Sequence, residues 1–268
     1  METRAEIGVF GGSGFYSLFT RAREVAVVTE YGSPSAPLTV SRVGGRSVAF
    51  LPRHGVHHEF PPHMVPYRAN VQALKKIGVT RVIGPCAVGS LVPEAEPGDL
   101  VFCDQFVNFT SGRKDTFYDG PETTHVSSAD PYCPEMRKVG IEAARRLEMK
   151  VHESGTVVVI QGPRFSTRAE SRFFRSQGWQ VINMTQYPEA ILAREMELCY
   201  LNMSLVTDYD AGLEGDPKAK PVSHDEVIKV FNRNTEKLKA LIREIVRTLP
   251  AKRGCACGNS LGNARLKA

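Results

Sequence analysis

The sequence predicts a single α/β domain, a central sheet flanked by helices. Short apolar runs alternate with amphipathic segments of helical period, as in strand–helix units that build a mostly parallel sheet. No fixed repeat and no low-complexity linker divides the 268 residues, enough chain to bury one large core. One helix near the C-terminus is marked at both ends.

Apolar runs at 7–10, 38–43 and 48–51 read as strands, and a helical pattern follows over 67–76. Strands at 81–83 and 100–103 lead to a helix over 134–147 and a strand over 155–161. A helix near 166–176, with Ser166 placed to cap it, a strand at 181–182 and a helix over 188–197 come next. The apolar run 201–206 reads as a buried strand ending in two acids, Asp208 and Asp210. In the last helix Ser223 and Glu226 form an S-x-x-E box, Val227, Phe231, Leu238, Ile242, Ile245 and Leu249 keep helical spacing, and Pro250 stops it. Residues 106–133 show no sustained period, and a loop that long, with its aromatics and His125, points to function. Residues 1–250 are thus read as the domain and 251–268 as a basic Gly/Cys-containing tail.

Hydrophobic content of 42% and charged content of 24% are ordinary for globular chains. METRAEIGVF lacks a basic segment followed by a long apolar core, and no run approaches 18 apolar residues. A cytoplasmic protein without a membrane partner is expected. The net charge of +5 arises from residues 231–268, where nine Lys/Arg face two Glu and leave the rest at −2. A solvated basic face explains that better than a nucleic-acid partner. Six cysteines are too few for a disulfide scaffold. Cys255 and Cys257 form a C-x-C unlike the spacing of zinc sites, leaving a strained C-x-C disulfide, a tail staple or an inert or disordered tail open.

Four segments carry chemistry. In IGVFGGSGF a strand empties into Gly11, Gly12, Ser13 and Gly14, whose backbone can approach an anion, although neither a dinucleotide fingerprint nor a P-loop is present. FLPRHGVHHEFPPH gathers Arg53, His54, His57, His58 and His63. The histidines lack a recognised zinc spacing, and Arg53 with His54 suits a bidentate grip on phosphate. Asn183, Met184 and Thr185 lie where a strand end meets a helix start, the usual crevice of open α/β sheets. DYDAGLEGD fails the calcium-loop pattern, having Gly212 and Leu213 at its fifth and sixth positions. What remains is an acid pair that an extended strand would aim into one pocket, where close like charges raise one partner's pKa.

Taken together, GGSGF, RHG…H…VPYRAN, VGSL…PGDLVFCDQF, GPRFSTRAES, VINMT…PEA.LARE and TDYD resemble the trimeric purine nucleoside phosphorylase family, nearest its 5′-methylthioadenosine phosphorylase branch. The resemblance runs in order from Ile7 to about Leu249. It implies a central mixed sheet, a homotrimer or dimer of trimers, no metal and no cofactor beyond phosphate as co-substrate. The implied reaction is phosphorolysis of S-methyl-5′-thioadenosine. By position it places phosphate on Ser13, Arg53, His54, Ala87 and Thr185, ribose on Met184, and the base on Phe165, Ser166, Asp208 and Asp210. Val227 and Ile228 would surround the 5′ group, and His125 would arrive from a neighbouring subunit. Asp208 is the expected acid at purine N7. Acids rather than Asn there favour a 6-amino over a 6-oxo purine. Two departures stand out: Cys86 replaces a Thr common among relatives, and His224 replaces an apolar residue near the 5′ pocket, which suits a 5′-hydroxyl and hence adenosine. A 6-oxopurine nucleoside phosphorylase, a metal-dependent hydrolase using His54–His63 and a non-catalytic nucleoside-binding module are the competing readings.

Overall fold

The structure, a computed structural model, describes residues 4–12, 15, 22–213 and 220–265. Its first half comprises β1 (Ile7–Gly11), β2 (Arg23–Val25), β3 (Leu38–Val43), β4 (Arg46–Pro52), α1 (Tyr67–Lys76) and β5 (Arg81–Ser90). β6 (Leu100–Val101), β7 (Gln105–Phe109), α2 (Pro134–Arg146), β8 (Val151–His152) and β9 (Thr156–Ile160) follow. α3 (Arg168–Ser176), β10 (Val181–Asn183), α4 (Gln186–Glu195), β11 (Cys199–Asp208) and α5 (His224–Thr248) complete the domain. The sheet is mixed: β1 runs parallel to β4 and β5, and β5 to β11, whereas β2–β3, β3–β4, β5–β10 and β6–β11 are antiparallel.

Helices cover both faces. Tyr67, Val71 and Leu74 of α1 join Ala190 and Leu192 of α4 in one core. Met136 and Ala143 of α2 join Leu238, Leu241 and Ile242 of α5 in the other. β11 feeds both, sending Cys199, Leu201, Met203 and Leu205 to the second and Tyr200 and Val206 to the first. A strand buried on both faces has no polar alternation, which is why it reads as an apolar run.

Three departures from the sequence reading have local causes. β5 extends seven residues past the expected strand because Gly84 and Pro85, normally strand breakers, lie where its edge has no ladder partner (below). The expected loop at 106 begins as β7, paired in parallel with β9 over five residues. Thr167, not Ser166, caps α3, accepting from Glu170 N at 3.2 Å while Glu170 Oε2 accepts from Thr167 N at 2.7 Å. Ser223 caps α5 as expected, accepting from Glu226 N at 3.3 Å. The chain after α5 is docked on the domain. Arg253 donates to Glu197 O at 2.9 Å and Ser260 to Arg194 O at 2.6 Å.

Candidate active site

The crevice originates in how β5 shares its edges. β11 pairs with one edge from Arg81 to Gly89. The other edge pairs with β1 only from Arg81 to Ile83, and with β10 only at Gly89 and Ser90. Between them residues 84–88 have no ladder partner on that side, and a cleft of about 420 Å³ opens there. Its volume is that of a small-molecule site. Such a break, at the carboxyl ends of β1, β4 and β5, is where open α/β sheets bind ligands.

Arg53 leaves the end of β4 and lines this cleft while only 4% exposed. Its bidentate face is taken by Glu189: Nε donates to Oε2 at 2.6 Å and Nη2 to Oε1 at 2.8 Å, and Nη1 donates to Pro85 O at 3.0 Å. Tyr200 also donates to Glu189 at 2.5 Å. The grip assigned to phosphate from sequence therefore belongs to Glu189, leaving one hydrogen on each Nη for a ligand. Glu189 holds the Arg53 pKa above its usual range against the pull of burial.

His54 Nδ1 lies 2.8 Å from Phe60 O, which requires the proton on Nδ1. Burial, then the Arg53 charge, lower its pKa to about 4, so the ring is neutral at pH 7 with a lone pair on Nε2. His54 stacks on His58 at 4.4 Å. Among the described residues the histidines at 54–63 do not converge into a metal-ligand group, against the hydrolase reading. Thr185 precedes α4 without a side-chain capping bond, and Ala87 and Met184 complete this wall.

The acids occupy another wall. Asp208 is 8% exposed and has no cation partner among the described residues; Thr207 Oγ1 donates to its Oδ2 at 2.7 Å and Asp210 N to its Oδ1 at 2.8 Å. Burial pushes its carboxyl up to about 6, opposed by those two donors and aided by the charges of Asp210 and Glu226. Burial raises Asp210 too, countered by the Ser171 and Ser166 hydroxyls nearby. Among the described residues Asp210 Oδ2 and Ser166 Oγ are buried without a hydrogen-bond partner. The pair enters one cleft, but not by strand alternation: β11 ends at Asp208 and Asp210 turns in with φ of +49°. Gly89 gives them space, since a Cβ there would lie 2.9 Å from Asp208 Oδ1.

Of the residues expected at the site, Arg53, His54, Ala87, Phe165, Met184, Thr185, Asp208, Asp210, His224 and Val227 line this cleft. His224, the first residue of α5, lies close enough to His58 to lower its pKa, although burial is the larger cause. Ile228 does not line it; it is 42% exposed, one position around the helix from Val227. Ser166 lies behind Asp210 rather than on the lining. His125 is exposed outside the cleft, its N–H bonded to Ala264 O at 2.8 Å. Ser13 falls outside the described residues. Sequence reasoning missed Glu189, Gly89 and Arg113. Arg113 donates to Gln161 O at 2.9 Å and Met184 O at 3.0 Å, tying two cleft loops together.

Residues 6–247 match the sequence profile of the Phosphorylase superfamily. An S-methyl-5′-thioadenosine phosphorylase of Pyrococcus horikoshii is 53% identical over 256 residues, 96% of this chain and 97% of the relative. One from Mycolicibacterium smegmatis is 54% identical over 250 residues, 93% of each. A purine nucleoside phosphorylase of Streptomyces coelicolor is 51% identical over 271 residues, covering 97% and 96%. Among solved structures, a methylthioadenosine phosphorylase sourced from an antarctic soil metagenomic library matches with TM-score 0.92 and 37% identity, over 98% of this chain and 93% of that one. The Schistosoma mansoni methylthioadenosine phosphorylase in complex with adenine matches at 0.91 and 34%, over 98% and 99%.

Proposed function

The chain belongs to the phosphorylase superfamily and is a pentosyltransferase; on that footing we propose that it cleaves S-methyl-5′-thioadenosine with inorganic phosphate, giving adenine and 5-methylthioribose 1-phosphate. The observation that carries this reading is the buried, uncompensated Asp208, with its carboxyl near 6, in the same cleft as Arg53, His54 and Thr185.

In the proposed mechanism a phosphate oxygen attacks the anomeric carbon as the bond to purine N9 breaks, and the bond's electron pair passes into the purine. Asp208 delivers its proton to N7, so the base leaves neutral; general acid catalysis of this kind contributes about 10²–10⁴-fold. Asp210 Oδ2, an acceptor without a partner, suits a 6-amino hydrogen and disfavours a 6-oxo group. Phosphate is held by the remaining Arg53 hydrogens, Thr185, Ser13 and the unpaired edge of β5 around Ala87. His54 Nε2 accepts the P–OH hydrogen of monohydrogen phosphate. Ribose packs on Met184 and the base on Phe165, with Ser166 supporting the acids. No metal or cofactor enters these steps.

His125, exposed and away from its own cleft, is proposed to complete a neighbour's site in a homotrimer. Ile228 joins Val227 at the 5′ group only if that assembly covers its exposed face. Six cysteines, all free, suit the reducing cytoplasm as the place of action.

A second reading has its own observation. His224 stands on the cleft lining beside Val227, where it can bond a 5′-hydroxyl, and one relative is named purine nucleoside phosphorylase. Adenosine is then a further substrate. Release of base from methylthioadenosine, adenosine and inosine, each with and without phosphate, tests both readings. Phosphate-independent release refutes the mechanism, and preference for inosine refutes the base assignment.

A further inference from the structure

The C-x-C of the tail meets two cysteines remote in sequence. Cys133 is the residue before α2 and Cys199 opens β11, while the tail turns back over both. The sulfurs of Cys133, Cys199, Cys255 and Cys257 all lie within 4.8 Å of one another. All four are free thiols; Cys255 is half-buried and the others are buried. The Cys199 and Cys255 sulfurs are 3.3 Å apart. Four thiolates around one tetrahedral ion, with metal–sulfur bonds near 2.3 Å, stand about 3.8 Å apart along each edge, within that spread.

Polar groups of the domain and the tail reach these sulfurs. Met136 N, at the positive start of α2, donates to Cys133 Sγ at 3.5 Å. Arg253 reaches Cys199 from the tail, which brings a cation beside the sulfur group. Gly254 N is anchored on Glu135 Oε2 at 2.6 Å, which fixes the approach of the C-x-C. None of the four cysteines lines the cleft.

We propose that Cys133, Cys199, Cys255 and Cys257 form a tetrathiolate site for a soft divalent cation of the zinc class, which clamps the C-terminal tail onto the domain. This revises the sequence expectation of no metal, which rested on the family resemblance and on the unrecognised spacings of the histidines and the C-x-C. Four protein ligands leave no open position, so the role is structural. Binding replaces the thiol protons and releases them to solvent. Arg253 offsets part of the resulting double negative charge.

The test uses the full chain, purified under reducing conditions without chelator, with metal read by mass spectrometry. One zinc per chain is expected, falling to a trace in the Cys255→Ser/Cys257→Ser variant. Replacement by Co²⁺ should give the intense visible bands and thiolate charge-transfer absorption of a tetrahedral sulfur site, a readout independent of activity and of the variant's folding. Four reagent-accessible thiols with no metal bound after Zn²⁺ addition would overturn the proposal. So would a metal-free chain lighter by four hydrogens without reductant, which is the mass of two disulfides.

Discussion

Two buried carboxylates border the same cleft and have opposite fates. Glu189, fully buried, receives two N–H groups from Arg53 and a hydroxyl from Tyr200. Asp208, nearly as buried, receives a hydroxyl and one backbone N–H but, among the described residues, no cation. Desolvation acts on both. Where a guanidinium answers it the result is a rigid ion pair, and where none does the penalty appears as proton affinity near 6. One acid is thereby fixed as scaffold and the other is poised to move a proton.

Asp208→Asn separates these roles most sharply. Loss of the proton donor should lower kcat/KM for methylthioadenosine by about 10²–10⁴-fold. Its amide can donate to a 6-oxo group, so the ratio of inosine to methylthioadenosine turnover should rise. Stability should move the other way. The Asp208 pKa is raised on folding, so its destabilising effect is absent below about pH 4 and grows as pH rises through about 6. Denaturation at pH 7 should find the Asn variant more stable by up to about 3 kcal/mol, with no difference at pH 3.5. Unchanged activity would remove Asp208 from the mechanism.

Glu189→Gln should behave as a break in the scaffold. Stranding Arg53 without its counter-charge costs about 3–5 kcal/mol in buried pairs, read by urea denaturation. The variant should also raise the KM for phosphate, because Arg53 loses the contact that orients it. A stability loss below 1 kcal/mol would mean that the pair is not what fixes Arg53.

A smaller effect distinguishes the two acids by pH. With phosphate saturating, kcat/KM for methylthioadenosine in the wild type should fall tenfold per unit above about pH 6 as Asp208 loses its proton. The limb should vanish in Asp208→Asn and persist in Asp210→Asn, since Asp210 tunes rather than donates. Persistence of the limb in Asp208→Asn would assign it to another group.

The contrast between these acids was only half legible in the sequence. Asp208 was visible because it ends an apolar run, a local signal. Glu189 was not, because its meaning depends on Arg53, 136 positions earlier. The fold divides the same way. The 38–43 and 67–76 elements emerge with their observed boundaries, since each carries its own period. β5 was cut short because Pro85 reads as a breaker until β1 and β10 are known to leave its edge unpaired there. Both acids were placed in one pocket, but by strand alternation, whereas the left-handed Asp210 and the space over Gly89 achieve it. The cysteine group was hidden for the same reason as Glu189: spacing along the chain says nothing of sulfurs that converge from three segments.

The smallest expected effect concerns the rim. His224 opens α5 on the cleft lining, with Val227 one turn on. A neutral hydrogen bond from its ring to a 5′-hydroxyl contributes about 0.5–1.5 kcal/mol net. His224→Val should therefore lower kcat/KM for adenosine by about two- to tenfold, while methylthioadenosine, whose sulfur accepts only weakly, should hold or improve. The ratio of the two substrates within one variant cancels any general loss of fold. Adenosine turnover equal to or above wild type in His224→Val would show that the histidine does not recognise the hydroxyl. The 5′ pocket would then select by the apolar wall at Val227 alone, in contrast to the acid wall, where selection rests on hydrogen bonds.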